Sequence, residues 1–312
     1  MEIGVLGFSG SKNIGDYIQT KAVIDILKTQ NIRILDREKL NNYNGNRIKT
    51  IVNGWFMESP ENWPPSNKIY PLFISFHINP SVKDTFTNQD SINYFKKYEP
   101  IGCRDYYTRN LLLEHGINAY FSSCVTLGIE RKNYLMKQPD GIIVIGAFDR
   151  LKPFLDYKSS LKLLLSFFKY PLRFFNYKIK VYRFNKHLKK QNFKIKKFDQ
   201  ITKKPIDSHS TGIQLAENML QKIAESKIII TSRIHSALPA LAMGLKVIFI
   251  KEGLEHSNHK MRLSGLENYF NTVCFNDFFM INLDTIQSME NHMGYIEKTN
   301  QTINNFKVKW IF

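Results

Sequence analysis

The run Ile228-Ile229-Ile230-Thr231, followed at once by Ser232-Arg233-Ile234-His235 and then by Ser236-Ala237-Leu238-Pro239-Ala240-Leu241-Ala242-Met243-Gly244, narrows the possible folds more than any other stretch. A short β-branched run bounded by polar residues reads as a strand buried on both faces, the kind found in parallel sheets. The small-residue stretch behind it reads as a helix. A strand ending on a guanidinium and an imidazole places both at the crevice beyond the carboxyl edge of the sheet, where open α/β sheets bind ligands. Arg stays charged and forks to match carboxylates and phosphates, and His moves protons near neutral pH. The pair suits an anionic substrate that also needs a proton transferred. Taken alone, Arg233 equally fits a surface salt bridge and His235 a satisfied residue at a helix start.

The same alternation runs through the rest of the chain. Residues 3–8, 32–35, 48–52, 72–78, 101–104 and 118–121 read as short strands. Residues 16–29, 90–98 and 108–115 read as helices, the last closed by Gly116. Beyond the turn-like Gln138-Pro139-Asp140-Gly141, strands are expected at 141–146, 228–231 and 246–250. Helices are expected at 211–226, 236–243 and 286–306, the last able to cross back to the first half. The expected fold class is α/β, with two Rossmann-like doubly wound domains facing a central cleft. The expected domains are 1–137 and 138–312, the second with a basic insertion at about 150–205 and a C-terminal helix. A length of 312 residues agrees with two domains. Cys103, Cys124 and Cys274 lack metal-ligand spacing and read as buried thiols of a reducing compartment. No secretory signal precedes the first strand and no long uncharged apolar run follows it, so a cytoplasmic protein is expected.

The net charge of +17 is concentrated: between Arg150 and Lys204 stand 17 Lys and Arg against Asp156 and Asp199. The charge therefore belongs to one insertion-like segment. Within it Leu161, Leu164, Leu165, Phe168, Leu172 and Phe175 fall near one helical stripe, with Pro171 expected to kink the helix. A basic, aromatic-rich amphipathic segment at 150–204 suits the surface of an anionic membrane, on whose inner face the protein would sit peripherally. Alternatively the stripe packs on the second domain and the lysines form a solvated face. No nucleic-acid reader motif accompanies the charge, and no nucleic-acid partner is expected.

Four segments, in order, resemble the polysaccharide pyruvyl transferase family. They are Gly10-Ser11-Lys12-Asn13-Ile14-Gly15-Asp16-Tyr17-Ile18-Gln19, Gly102-Cys103-Arg104-Asp105, Gly116 to Leu127, and Ser232-Arg233-Ile234-His235-Ser236-Ala237. The resemblance implies a two-domain fold like that of GT-B glycosyltransferases and phosphoenolpyruvate as donor. The pyruvyl unit would end as a cyclic ketal across two sugar hydroxyls, with release of phosphate. The acceptor it implies is a cell-surface polysaccharide or its lipid-linked precursor, such as an undecaprenyl-linked oligosaccharide. It carries the family's donor-binding Arg onto Arg104 and its Arg-x-His pair onto Arg233 and His235. Residues 150–205 and the stretch after about 270 lie outside the resemblance.

Phosphoenolpyruvate carries a phosphate and a carboxylate, so its site needs cations at two places. Arg104 and Arg233 are expected to face each other across the cleft, with Ser232, His235, Lys260 and Arg262 completing the donor side. His235 either protonates the methylene carbon of the enol or binds the phosphate and protonates its bridging oxygen. Two neighbouring arginines push an imidazolium pKa down, and a bound dianion pushes it up. Asn13, Asp16 and His77 are the acceptor-side candidates. Asp16 reads either as the base for a sugar hydroxyl or as a simple N-cap, and His77 either as a satisfied core histidine or as a group reaching the cleft. His256 and His259 lack a third ligand, so no metal is expected, and no cofactor beyond the co-substrate. Two other functions fit the same features: a nucleotide-sugar glycosyltransferase of the same plan, and a non-catalytic basic protein that binds membranes or nucleic acid through residues 150–204.

Overall fold

Strands built from β-branched residues need cover on both faces, and the chain meets this with two wholly parallel sheets flanked by helices. The computed structural model describes residues 2–153, 159–254, 261–287 and 293–308. The first sheet has the order β2-β1-β3-β4-β5-β6. Its strands are β1 (Ile3–Gly7), β2 (Ile32–Asp36), β3 (Ile48–Phe56), β4 (Ile69–Ile78), β5 (Ile101–Cys103) and β6 (Ala119–Phe121), joined by α1 (Ile14–Leu27), α2 (Lys83–Phe86), α3 (Gln89–Tyr98) and α4 (Tyr106–Glu114). Gly116 follows α4 with a φ of 71°, the left-handed conformation a helix stop of this kind requires. The second sheet has the order β11-β10-β9-β7-β8. It comprises β7 (Ile142–Ile145), β8 (Ile195–Phe198), β9 (Ile228–Thr231), β10 (Lys246–Ile250) and β11 (Asn271–Val273). Around it lie α5 (Ser160–Lys189), α6 (His209–Ala224), α7 (Ile234–Ala242) and the short α8 (Phe275–Phe278). The arrangement is GT-B-like: two Rossmann-like sheets in one α/β chain.

The period of two within the strands of the second sheet divides its apolar residues between two cores. Ile143, Ile145, Ile229, Val247 and Phe249 join the large core that continues into the first sheet and α1. Ile142, Val144, Ile228, Ile230, Ile248 and Ile250 face the other way, onto Phe184 and Leu188 of α5 and Phe275 and Phe278 of α8. The final turns of α5 are thus a structural cover.

The basic segment is therefore less of an insertion than its composition indicates. Its last third supplies β8, an edge strand of the second sheet, and the loop that meets the first sheet (below). Pro171 lies within α5, which runs as a single helix on both sides of it. At about 1.5 Å per residue, its 30 residues reach roughly 45 Å. Leu164, Leu165, Phe168, Leu172 and Phe175 are all exposed, so the stripe does not pack on the second sheet. No helix of the described residues is long and apolar enough to cross a membrane.

The final helix, α9 (Met293–Val308), returns to the first sheet. Lys49 Nζ, fully buried in β3, donates to Phe306 O at 2.9 Å, and Lys307 Nζ donates to Leu27 O at 2.8 Å. Tyr70 stacks on Phe306 with ring centroids 5.9 Å apart.

Candidate active site

The carboxyl edges of the two sheets are stitched together by backbone. The loop after β1 runs against the loop after β8: Gly10 N donates to Ile206 O (3.1 Å), Ile206 N to Ser11 O (2.9 Å), Thr202 N to Lys12 O (2.8 Å) and Ile14 N to Gln200 O (3.0 Å). Gln200 completes the junction. Its Nε2 donates to Asn13 Oδ1 at 2.7 Å, and its Oε1 accepts from Ser236 Oγ of α7 at 2.5 Å. The N-termini of α1 and α7 are thereby pinned to each other. A Cβ on Gly15 would overlap Gln200 Nε2 and stand 2.9 Å from the Cβ of His235, so this close approach favours glycine. The Asn13-x-Gly15-Asp16 and Arg233-x-His235 segments, 220 residues apart, are two sides of one joint.

Asn13, not Asp16, caps α1, its Oδ1 accepting from Gly15 N at 3.1 Å. The N-cap reading of Asp16 is corrected accordingly: Asp16 lies in the first turn, accepting from Ser11 Oγ at 2.6 Å and Asn13 Nδ2 at 3.0 Å. Burial raises its pKa, and this outweighs the opposing effects of Ser11, Arg37 and Arg262.

Arg104, at the tip of β5, is 0% exposed. None of its three guanidinium nitrogens has a hydrogen-bond partner among the described residues, and its ion-pair contact is Asp105 Oδ2 at 3.5 Å. Asp105 is already engaged, capping α4 by accepting from Thr108 N at 2.9 Å and accepting from His77 Nδ1 at 2.5 Å. Burial opposes its ionisation, but the contacts with His77, Arg104 and Thr108 hold its pKa below the usual carboxylate range. Burial and then Arg104 push His77 down to about 4, against the pull of Asp105. His77 is therefore neutral, with Nδ1–H on Asp105 and the lone pair of Nε2 on the opposite edge.

His235 is pushed well below its ordinary pKa, first by burial and then by Arg104, Arg262 and His77. Arg262 lies over the Trp55 ring at 4.5 Å and is driven down to about 9 by burial, Arg104 and Arg150. Nε2 of both histidines and Nε of Arg262 lack partners among the described residues. Buried polar groups are nearly always hydrogen-bonded, and like charges grouped out of water raise the cost further. A cluster of this composition suits a small, multiply anionic ligand.

The expected site residues fall into three places. Arg104, Arg262, His77 and His235 perturb one another electrostatically and form the buried cluster. Asn13, Asp16 and Arg262 line a cavity of about 510 Å³ with Arg37, Trp55 and Glu58. His77, expected on the acceptor side, is not in this lining; it lies against Trp55 with ring centroids 5.1 Å apart, beside Arg104. Arg233 is paired, its Nη2 donating to Asp149 Oδ2 at 2.8 Å, while its Nε has no hydrogen-bond partner among the described residues. The arginines acting on His235 are thus Arg104 and Arg262, in place of the expected Arg104 and Arg233. Ser232, expected to bind donor, gives its hydroxyl proton to Gly146 O at 2.6 Å and splints β9 to β7. Lys260, His256 and His259 lie outside the described residues.

Sequence reasoning passed over Asp105, Arg150, Trp55 and Gln200. An Asp directly before a helix and directly after a site Arg was a usable signal for Asp105. Gln200, in a segment read only for its charge, gave none.

Two parallel sheets whose carboxyl edges close over buried arginines and histidines define an α/β protein of GT-B-like plan. A crystal structure of a functionally uncharacterised protein from Klebsiella pneumoniae subsp. pneumoniae shares this fold. It has a TM-score of 0.50 and 13% identity, covering 88% of this chain and 92% of that one. Curated protein sequences give no match. The profile of the polysaccharide pyruvyl transferase family matches residues 13–252, and the chain belongs to that family. Membership makes it a pyruvyl transferase acting on polysaccharide.

Proposed function

We propose that the chain transfers the pyruvyl group of phosphoenolpyruvate onto two hydroxyls of one sugar, forming a cyclic ketal and releasing phosphate. The observation that carries this reading is Arg104, a fully buried guanidinium with no hydrogen-bond partner among the described residues, set beside His235 and Arg262. Arg104 and Arg262 bind the donor's carboxylate and phosphate, and Arg233 serves as a further cation at the rim. One sugar hydroxyl adds to the central carbon while the methylene carbon takes a proton and becomes methyl. The bond from the central carbon to the bridging phosphate oxygen then breaks, and the second hydroxyl attacks the central carbon and closes the ring. Of the two hydroxyl protons released, the methyl accounts for one and the departing phosphate for the other.

His235 supplies the carbon proton. It is neutral in the free protein, and the incoming dianion raises its pKa so that it arrives at the reaction protonated. Asp16, whose pKa burial has raised toward that of a useful base, accepts the first hydroxyl proton at the edge of the 510 Å³ cavity, where Trp55, Glu58 and Arg37 receive the sugar.

The acceptor is presented at the inner face of the plasma membrane, as a lipid-linked glycan, and α5 is the contact. Phe168 (71%), Leu172 (66%) and Phe175 (64%) are exposed on the arc opposite the buried Phe184, with Lys169 and Arg173 beside them. Apolar residues flanked by cations fit an anionic lipid surface.

The test is thermal stability with phosphoenolpyruvate against phosphate, pyruvate and nucleotide sugars. Stabilisation specific to phosphoenolpyruvate, lost in Arg104→Met and Arg262→Met, is the expected result. Stabilisation by a nucleotide sugar and none by phosphoenolpyruvate would refute the proposal.

A further inference from the structure

A second group of cations lies where α5 passes the carboxyl edge of the second sheet, joined to the buried cluster through Arg150, which also acts on Arg262. A cavity of about 530 Å³ opens there. Among the described residues its wall carries five cations, Arg150, Lys152, Arg173, Lys180 and Arg183, against one carboxylate, Glu252. Glu252 is partly committed, since its Oε1 accepts from the Phe275 backbone N–H. Lys152 is shared with Asp149 at 3.2 Å. Lys180 sits over the Phe275 ring at 5.2 Å, and Arg183 over Phe275 and Phe279 at 5.4 and 5.3 Å. Such stacking fixes the Arg183 guanidinium by its face and leaves its N–H edge for a ligand, with the Lys180 ammonium held on the same ring. A concave wall of one sign concentrates the opposite charge in front of it.

We propose that this cavity is a binding site for a diphosphate ester. Its volume exceeds the needs of orthophosphate and suits a diphosphate with part of what it esterifies. Cations reach it from two elements, the loop after β7 and one side of α5, so two phosphoryl groups can be held at once. Ile179 of the same lining is exposed and begins the apolar arc that continues through Phe175, Leu172 and Phe168. A ligand joining a diphosphate to a hydrocarbon chain would thus meet cations and apolar surface in the right order, and a nucleoside diphosphate would use the cations alone. A role as anchor for the acceptor's lipid carrier rests on the transferase reading above; the anion site itself does not.

The experiment measures binding of inorganic pyrophosphate, uridine diphosphate, and farnesyl diphosphate in neutral phosphatidylcholine vesicles, with sulfate at matched ionic strength as control. The proteins are wild type, Arg173→Glu/Arg183→Glu and Arg104→Met. Arg173 and Arg183 are exposed, so their reversal spares the core, and the melting temperature without ligand verifies this. Diphosphate affinity tenfold or more weaker in the double variant, with the response to phosphoenolpyruvate retained, is the expected result. Preference for farnesyl diphosphate over uridine diphosphate then assigns the site to a lipid carrier, and the reverse to a nucleotide. Loss of pyrophosphate binding only in Arg104→Met, an equal response to sulfate, or no binding of any diphosphate would overturn the proposal. None of those outcomes touches the phosphoenolpyruvate response, so failure here and failure of the transferase reading remain separable.

Discussion

Gly15→Ala tests the joint between the two halves of the site. The added methyl would overlap Gln200 Nε2 and lie 2.9 Å from His235 Cβ and 3.0 Å from Asn13 Oδ1. A side-chain amide can ordinarily swing away, but this one is held at both ends by Asn13 and Ser236. Relief therefore costs either overpacking, about 1–3 kcal/mol, or those two hydrogen bonds, about 0.5–1.5 kcal/mol each. For a chain of this size about 1 kcal/mol shifts the melting temperature by roughly 2–4 °C. A fall of about 3–10 °C is expected, together with weaker phosphoenolpyruvate binding because His235 is displaced. Adding Gln200→Ala removes the obstructing amide, so the double variant should melt higher than the sum of the single effects. Gly294→Ala, where a Cβ meets nothing within 4 Å, is the control and should cost nothing. Calorimetry with and without phosphoenolpyruvate reads all five proteins: wild type, Gly15→Ala, Gln200→Ala, the double variant and Gly294→Ala. If Gly15→Ala melts with the wild type and binds the donor equally well, the two motifs do not share a joint and the reasoning fails.

Arg104→Met should abolish donor-induced stabilisation while leaving the melting temperature of the free protein equal or higher, since it removes a buried charge with no hydrogen-bond partner among the described residues. Donor binding near neutral pH should take up a proton at His235, visible as a dependence of calorimetric heat on buffer ionisation enthalpy and lost in His235→Asn. His77, at about 4 in the fold, contributes stability that is complete above its ordinary pKa of 6.5 and is lost as pH falls from there toward 4. Urea midpoints should therefore fall more steeply across that window in wild type than in His77→Gln; the comparison between proteins cancels Asp16, which acts in the opposite sense. Phe168→Ser/Leu172→Ser/Phe175→Ser should lose about 100-fold in partition onto anionic vesicles, from about 1 kcal/mol for each partly buried side chain, with an unchanged melting temperature. Unchanged vesicle binding removes the membrane contact from the proposal.

Strands such as Ile228–Thr231 and Lys246–Ile250 were legible because burial on both faces leaves a continuous apolar run with sharp ends. β8 was not, because an edge strand reading Ile-Lys-Lys-Phe has one solvated flank and hides in a basic background. β11 reads Asn-Thr-Val, with one apolar residue in three, and so offers no apolar run to detect. Of the site, Arg104 and His235 were readable from motif and position. The partnership of His235 with Arg262 was not, because it depends on how a loop beyond β10 folds back over Trp55, and no local spacing encodes that. The pairing of Arg233 with Asp149, 84 residues earlier in the chain, was not readable for a similar reason.

The return of α9 to the first sheet bears on the order in which the protein is made. The last strand of that sheet ends at Phe121, and the helix that covers Lys49 and Tyr70 begins at Met293. At roughly 5–20 residues per second of synthesis, the first lobe spends roughly ten to thirty seconds on the ribosome with that flank uncovered. Throughout the interval a lysine destined for the interior remains hydrated and an aromatic face remains open to other nascent chains. The N-terminal lobe, first to emerge, is thus among the last parts to be finished, and the burden on chaperones falls on the lobe whose strands are already complete.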